Sequence, residues 1–319
     1  MPASTAARPV RYGYFGPAGT FTQMALLDWE PAAGGEHTAY ASVDAALAAV
    51  RASEIDAAMV PIENSVEGGV TATLDALSTG SPLIVVGERL VKIRFVLAAR
   101  PGMPLARVAT VGTHSHAWAQ VRGWMGANLP KATYIPTLST ASAALDLAPG
   151  GDGRHDAAVC APIAAELAGL DVLADDIGDI KKAVTRFVLV ARPAAIPAPT
   201  GADKTTVVLY QRRDHAGGLM ALLEQFAARG INMTRLESRP TKHSMGDYCF
   251  SVDIEGHVLD ERVGQALTGL KRICAEVVFL GSYPRADRGR AQVAPFNSDA
   301  DFQSAADWLA ALRGLVDNS

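Results

Sequence analysis

The chain has 319 residues, of which 49% are hydrophobic and 19% charged, and its net charge is −4 at pH 7. This is the composition of a globular protein, and the acidic balance without a basic run argues against a nucleic-acid partner. No apolar stretch approaches the roughly 18 residues that cross a membrane, so no membrane association is expected. Residues 1–9 show no signal-peptide pattern and are predicted to be disordered, and three widely spaced cysteines indicate a cytoplasmic protein with reduced thiols.

Residues 10–192 alternate short apolar runs with alanine-rich segments of helical pattern. Four strand-like runs are RYGYFG, DAAMVPI, ARVATVGT and HDAAVCAP, and a helical segment follows each of them. Because strands that alternate with helices of this length form parallel βαβ units, we expect an α/β domain. The proline-containing segment 193–204 has neither a helical nor a strand period and is predicted to be a linker.

The pattern after the linker is more compact. Residues 205–283 show strands and helices in the order βαββαβ, which predicts a ferredoxin-like plait with two helices on one face of a sheet. The tail, residues 284–319, is polar until a helical pattern at about 299–316. Five apolar side chains recur there at helical spacing and predict a packing face, on the same chain or on a partner subunit. They are Phe302, Trp308, Leu309, Leu312 and Leu315.

Three strand-to-helix junctions of the first domain are rich in small and hydroxyl-bearing residues. They are GPAGTFT at 16–22, IENSVEGGV at 62–70 and GTHSHAWAQ at 112–120. In open parallel sheets, ligands bind at the carboxyl ends of strands, where helix N-termini offer free N–H groups. Together the junctions therefore predict a cleft for an anionic small molecule. Helix capping without any ligand is the alternative explanation for each junction taken singly.

The spacing of the same residues disfavours other kinds of site. The turn GYFGPAG has the spacing G-x-x-G-x-x-G, and Tyr14 stands where a dinucleotide-binding fingerprint needs its second glycine. His114 and His116 have no acidic or cysteine partner at metal-ligand spacing nearby, so no metal site is predicted. Ser65 and Ser115 lack the sequence context of a nucleophile elbow.

In this order and at these separations, the motifs GPAGTFT, PIENSVEGGV, SHAWAQ and TRF resemble prephenate dehydratases. The segment GGLMALLEQFAARGINMTRLESRP resembles the amino-acid-binding ACT domain that regulates monofunctional members of that family. The resemblance covers roughly residues 10–283. The chain departs from the family pattern at Ala117, where proline is usual, and at Ala183, where asparagine is common.

The resemblance implies a two-lobed catalytic domain similar to periplasmic binding proteins, with the substrate between the lobes. The expected bounds are about 10–88 and 178–192 for lobe 1, about 89–177 for lobe 2 and 205–283 for the ACT domain. The apolar run 82–100 is expected to carry the chain into the second lobe, and TRFVLV to bring it back. Thr185 and Arg186 are then expected to lie beside the crossover and to face the cleft.

The resemblance also implies a reaction of phenylalanine biosynthesis, in which prephenate is converted to phenylpyruvate, CO2 and water. Aromatisation drives this step, so neither a metal nor a redox cofactor is expected. The leaving hydroxide needs a hydrogen-bond donor, a role that falls to Thr185, while Arg186 is expected to clamp a carboxylate. A neighbouring group, Glu63 or His116, is expected to share the proton. Further substrate contacts are expected from Thr20, Asn64, Ser65, Ser115 and Phe187.

For the second domain, the resemblance implies feedback inhibition by phenylalanine and assembly into a homodimer or homotetramer. In such plaits the effector lies where two subunits meet. The residues expected to hold it are Gly217, Gly218, Leu219, Asn232, Glu237, Ser238, Arg239 and Pro240. A simple turn followed by an exposed strand, with no ligand, is the alternative.

Two other functions remain open from the sequence. A non-catalytic amino-acid sensor would have the same two lobes and the same plait, although Thr185 beside Arg186 and the three junctions favour the enzyme. An arogenate dehydratase, which would yield phenylalanine directly, is an alternative within the enzyme class that the sequence does not distinguish.

Overall fold

The structure is a computed structural model that describes residues 8–240 and 248–316. The described residues fall into two compact units, Met1–Thr73 with Arg89–Leu189 and Leu74–Glu88 with Val190–Ser319. Most of the segment predicted to be disordered at the N-terminus, residues 1–7, lies outside the described residues. Within them, no helix is both long and apolar enough to cross a membrane.

The described part of the chain contains fifteen strands and nine α-helices. The strands are β1 (Arg11–Phe15), β2 (Glu36–Tyr40), β3 (Ala57–Asn64), β4 (Gly68–Gly69), β5 (Ile84–Lys92), β6 (Val96–Ala99), β7 (Thr110–Thr113), β8 (Thr133–Pro136), β9 (Ala157–Cys160), β10 (Asp171–Ala174), β11 (Val184–Ala191), β12 (Asp203–Tyr210), β13 (Met233–Pro240), β14 (Tyr248–Glu255) and β15 (Glu276–Pro284). The helices are α1 (Phe21–Leu27), α2 (Val43–Arg51), α3 (Thr71–Ser78), α4 (Ser115–Asn128), α5 (Thr140–Leu145), α6 (Pro162–Leu167), α7 (Gly218–Ala227), α8 (Glu261–Ile273) and α9 (Asp299–Arg313).

Two sheets carry the first part of the chain. The first has the order β2-β1-β3-β11-β5, with β4 paired to β3, and the second has the order β10-β6-β9-β7-β8. β1 pairs in parallel with β2 and β3, as the alternation of strands and helices predicts. The predicted two-lobed α/β architecture is confirmed.

The second sheet is only partly parallel, because it also contains strands that lie outside the four predicted runs. β7 pairs in parallel with β8 and β9, but β6 pairs antiparallel with β9 and β10. β6 follows β5 after a short connection without a helix.

Hydroxyl side chains fix the starts of several helices. Thr20, Ser42 and Ser139 each accept a hydrogen bond from an N–H group in the first turn of α1, α2 and α5. Ser139 and Ser142 form a reciprocal capping box. Since such caps satisfy N–H groups that have no partner within the helix, they locate helix starts at these residues.

The second sheet is buried on both faces. One face packs Leu97, Val111 and Val159 against Val121 and Met125 of α4. The other face packs small side chains, mostly alanines of α5 and α6, against alternate residues of β6 and β9. Because alternate residues of each strand point to opposite faces, the short continuous apolar runs in the sequence fit a sheet covered on both sides.

The second unit contains the predicted plait. Its elements follow in the order β12, α7, β13, β14, α8, β15, and its strands form one antiparallel sheet in the order β13-β14-β12-β15. Leu209 and Val252 of the sheet share a core with Phe226 of α7 and Leu270 of α8. The ferredoxin-like fold is confirmed.

The segment 74–88 belongs to the same compact unit as the plait, although its sequence position suggests lobe 1. Lys204 Nζ of β12 lies 3.0 Å from Glu88 Oε2, and both side chains are almost fully buried. Arg239 of β13 pairs with Asp75 of α3 at 3.2 Å. These ion pairs join residues that are far apart in the sequence, so no local pattern predicts that the segment 74–88 groups with the plait.

The linker and the tail differ slightly from their predicted bounds. β12 begins at Asp203, so the last two residues of the predicted linker 193–204 belong to a strand. The tail helix α9 ends at Arg313, within the predicted range of 299–316. Its apolar stripe is exposed, with Trp308 at 65% and Leu315 at 80%, so the predicted packing face is not buried within this chain.

Candidate active site

A cavity of about 290 Å³ lies in the first unit, where strand ends of both sheets meet helix starts. Its apolar wall is aromatic and branched, with Phe15, Phe21, Ile93, Phe95 and Phe187 among the lining residues. Its polar wall includes Thr20, Asn64, Glu67, Gln120 and Thr185. A cavity with an aromatic wall and a few converging polar groups suits a small organic ligand.

Thr185 is buried yet lines this cavity, with 7% of its surface exposed. Its hydroxyl oxygen accepts a hydrogen bond of 2.8 Å from Nδ2 of Asn64. Oδ1 of Asn64 accepts from the backbone N–H groups of Val66 and Glu67, at 2.7 and 3.3 Å. Because backbone N–H groups only donate, they settle which end of the amide faces Thr185. The threonine oxygen is therefore occupied as an acceptor, and its proton is left to donate to a ligand.

Ser65 fixes the position of Thr185 from outside the cavity. Its Oγ accepts from the N–H group of Val184 at 2.9 Å, and its own N–H donates to the carbonyl oxygen of Val184 at 2.9 Å. The turn after β3 is thereby tied to the start of β11, one residue before Thr185. Ser65 is not among the lining residues, so its contribution here is to the backbone.

Arg186 and Glu63 lie away from the cavity. Thr185 and Phe187 line it, and since side chains alternate along a strand, Arg186 points to the other side of β11. Arg186 Nη1 lies 3.4 Å from Glu63 Oε2, and the arginine side chain is 6% exposed. The expected carboxylate clamp at Arg186 and the expected proton sharing by Glu63 stay predictions that this geometry does not support.

Two histidines and a glutamate lie at the edge of the cavity. Nδ1 of His116 lies 2.7 Å from Oε2 of Glu67, and Gln120 Nε2 donates to Oε1 of the same carboxylate at 3.4 Å. The ring of His114 meets that of His116 edge to face, with centroids 5.0 Å apart. Burial lowers the pKa of His114, and the neighbouring His116 lowers it further, against the opposing effect of Glu67. His114 is therefore neutral at pH 7.

Three helix caps border the cavity, at Thr20, His114 and Ser139. Two of them, Thr20 and His114, lie in the junctions that the sequence singled out. The third lies after β8, in the segment LSTAS. Strand ends and helix starts thus converge on one place, as expected for an open α/β sheet.

The predicted site residues fall into two groups. Thr20, Asn64, His116, Thr185 and Phe187 line the cavity, whereas Glu63, Ser65, Ser115 and Arg186 do not. Sequence reasoning missed Glu67, Gln120, Ser139 and Thr140. Ser139 follows a strand end and precedes a helix, so the rule that selected the other junctions applies to it as well.

The described residues contain no cluster of three or more His, Cys, Asp or Glu side chains that could hold a metal ion.

The residues predicted to bind an effector lie in two separate places on the plait. Gly217 adopts a left-handed conformation, with φ of 83°, at the start of α7, and Gly218 lines one cavity. Arg239 and Pro240 line another, of about 640 Å³, together with Asp75 and Tyr210. The remaining predicted residues lie in or near α7 and β13: Leu219, Asn232, Glu237 and Ser238. Among the described residues, Gly218 and the pair Arg239 and Pro240 therefore line different cavities.

A family model and several relatives identify the family of this chain. The family model described as prephenate dehydratase matches residues 12–195. A prephenate dehydratase of Amycolatopsis methanolica is 47% identical over 304 residues, which cover 95% of this chain and 98% of that protein. A prephenate dehydratase of Mycobacterium tuberculosis is 44% identical over 312 residues, covering 95% and 94%. The crystal structure of an Arthrobacter aurescens prephenate dehydratase in complex with L-Phe is 54% identical, with a TM-score of 0.91 and coverage of 96% and 100%.

Proposed function

The chain belongs to the prephenate dehydratase family, whose members are decarboxylating lyases, and from this premise we propose that the cavity beside Thr185 is where prephenate becomes phenylpyruvate. The observation that carries the proposal is the 2.8 Å hydrogen bond from Asn64 to the Thr185 hydroxyl. It turns a neutral side chain into an oriented donor at the wall of a small aromatic cavity. An oriented donor of this kind stabilises charge that develops on a leaving oxygen.

The reaction needs few further groups from the protein. As the ring carboxylate of prephenate leaves as CO2, its bonding electron pair enters the ring, the ring becomes aromatic and the hydroxyl at the opposite carbon is expelled. That hydroxyl takes up one proton and leaves as water. Thr185 is proposed to donate its hydrogen bond to this oxygen, and Phe15, Phe95 and Phe187 to surround the ring that becomes aromatic.

The charge of the substrate sets a second requirement. Prephenate carries two carboxylates, whereas the described lining of the cavity contains neither lysine nor arginine. The described lining does include the imidazoles of His114 and His116, whose ring N–H groups can donate hydrogen bonds. The N-terminal end of the 14-residue helix α4, beside these histidines, adds partial positive charge.

An arogenate dehydratase is the alternative within the enzyme class, and product analysis separates the two. The purified protein is incubated in parallel with prephenate and with arogenate. We expect phenylpyruvate from prephenate, detected by its absorbance in base, and a slower release of phenylalanine from arogenate. Phenylalanine as the faster product would identify an arogenate dehydratase.

We also propose that phenylalanine regulates the enzyme through the plait. The Arthrobacter aurescens relative is described as a complex with L-Phe. In this chain Arg239, in the predicted effector strand, pairs with Asp75 of α3. The start of α3 is tied to β3, because Thr73 Oγ1 donates to the carbonyl oxygen of Pro61 at 2.5 Å.

The variant Asp75→Asn is expected to weaken inhibition by phenylalanine, because it weakens the ion pair with Arg239 of the predicted effector strand. Without phenylalanine its kcat and KM should match the wild type, because Asp75 does not line the catalytic cavity. The phenylalanine concentration for half-inhibition should rise by about 5-fold or more, a usual size for allosteric coupling. Inhibition curves of the wild type, Asp75→Asn and the control Glu276→Gln, a carboxylate on the same effector-side cavity, test this. Equal curves for all three would contradict the coupling.

Assembly into a homo-oligomer and a cytoplasmic location are further proposals. β13 is an edge strand of its sheet, and apolar side chains of α9 such as Trp308 are exposed, both of which suit contact with a second copy. The three cysteines are buried free thiols, as in proteins of reducing compartments. A monomer at every concentration in analytical ultracentrifugation would contradict the oligomer.

A further inference from the structure

A carboxylate is an unexpected group at the wall of a cavity for an anionic substrate. Glu67 lines the cavity, and its side chain is 39% exposed. Unpaired, it would repel a dianion. Its two oxygens instead face His116 Nδ1 at 2.7 Å and Gln120 Nε2 at 3.4 Å. An exposed ion pair such as Glu67–His116 adds little to the stability of the fold. Its position at the wall of the cavity therefore suggests a role in the reaction.

The position of Glu67 is set by the side chain that also orients Thr185. Oδ1 of Asn64 accepts from the backbone N–H of Glu67, while Nδ2 of Asn64 donates to the Thr185 hydroxyl. The next residue, Gly68, has φ of +83°, a conformation that favours glycine and turns the chain back into β4. One amide therefore fixes both Thr185 and the residue that contacts His116.

The contact with Glu67 decides which imidazole nitrogen is left for a ligand. A carboxylate accepts a hydrogen bond from Nδ1–H, so the nitrogen left to meet a ligand is Nε2. His114, the other titratable residue lining this part of the cavity, accepts at its own Nδ1 from the backbone N–H of His116 at 3.4 Å. It caps α4 and does not compete for the carboxylate.

We propose that Glu67 is a positioning residue that acts through His116: it holds the imidazole with Nδ1–H toward the carboxylate and Nε2 toward the leaving hydroxyl of the substrate. His116 then donates from Nε2–H the proton that the hydroxyl needs to leave as water and is left as the neutral imidazole with Nδ1–H toward Glu67, to be reprotonated from solvent, while Thr185 stabilises the departing oxygen through its hydrogen bond. The inference rests on the proposed function, because it concerns the same reaction.

A double-mutant cycle tests whether Glu67 acts through His116. His116→Ala is expected to lower kcat by roughly 10²-fold, the lower end of the contribution of a proton donor. Glu67→Ala should lower kcat by about 10-fold through loss of orientation, with KM nearly unchanged, and Glu67→Gln should fall between Ala and wild type because its amide oxygen still accepts from Nδ1–H. In the His116→Ala background, Glu67→Ala should change kcat by less than about 2-fold, since the two residues act as one unit.

The controls separate this inference from structural effects and from the proposed function. Glu54→Gln, an exposed carboxylate outside the cavity, should leave kcat and KM unchanged. Thermal unfolding of each variant identifies any loss of fold. If Glu67→Ala lowers kcat equally in the presence and absence of His116, the two residues act independently and the inference is wrong. If the wild type forms no phenylpyruvate, the proposed function itself fails.

Discussion

Replacing Thr185 by valine is expected to lower kcat by about 10²–10³-fold, the usual loss when one oriented donor is removed from a transition state. Valine keeps the branched shape of a residue that is 7% exposed, so the wall of the cavity is preserved. What disappears is the proton donated to the leaving oxygen. KM should change little, because the leaving hydroxyl acquires its charge only in the transition state. Steady-state rates measured over a wide range of prephenate concentration give both parameters.

Thr185→Ser is the matched control. It retains the hydroxyl and the acceptor for Asn64 and loses one methyl group, so we expect it to keep most of the wild-type kcat. Thr185→Ala removes both and should resemble Thr185→Val. Wild-type kinetics in both Thr185→Val and Thr185→Ala would contradict a catalytic role for the threonine hydroxyl.

Asn64→Asp is expected to reduce kcat/KM by a similarly large factor, about 10²–10³-fold. The aspartate still offers an acceptor to the N–H groups of Val66 and Glu67, so the turn is retained. Toward Thr185, however, a donor becomes an acceptor. The threonine proton is then directed to the aspartate and away from the substrate, and a negative charge faces a dianion. Because binding also suffers, KM should rise, unlike in Thr185→Val.

The comparison with Asn64→Ala makes this prediction specific. Alanine loses the turn hydrogen bonds as well, so it should lower the melting temperature, whereas Asn64→Asp should unfold close to the wild type. An Asn64→Asp enzyme with wild-type kcat/KM would show that the proton of Thr185 is not used, and would also remove the main support for the linked role of Glu67.

The fold follows largely from local patterns. Alternating apolar runs and helical segments identify β1, β3, β7 and β9 before residue 192, and the order βαββαβ identifies the plait. The antiparallel pairing of β6 is not visible, because it depends on which strand of a distant part of the sequence lies beside it. The grouping of 74–88 with the plait is hidden for the same reason, since its ion pairs join residues more than a hundred positions apart.

The sequence motifs predict several residues of the site, but they do not predict which side chains contact one another. Thr185 and Asn64 lie 121 residues apart, so their hydrogen bond is a property of the fold, although both residues stand in motifs that the resemblance selects. For Arg186, the strand period predicts a side chain on the face of β11 opposite to that of Thr185, because neighbouring residues of a strand point to opposite sides. The junction 62–70 contains two acids, Glu63 and Glu67, and only the structure shows which of them borders the cavity.

The measurement that tests the central claim most directly is the release of phenylpyruvate and CO2 from prephenate by the purified, chelator-treated wild-type protein. We expect the two products in equal amounts, formed catalytically and without an added cofactor. Tight binding of prephenate in calorimetry with neither product released would contradict the account, because the cavity beside Thr185 would then hold the molecule without transforming it.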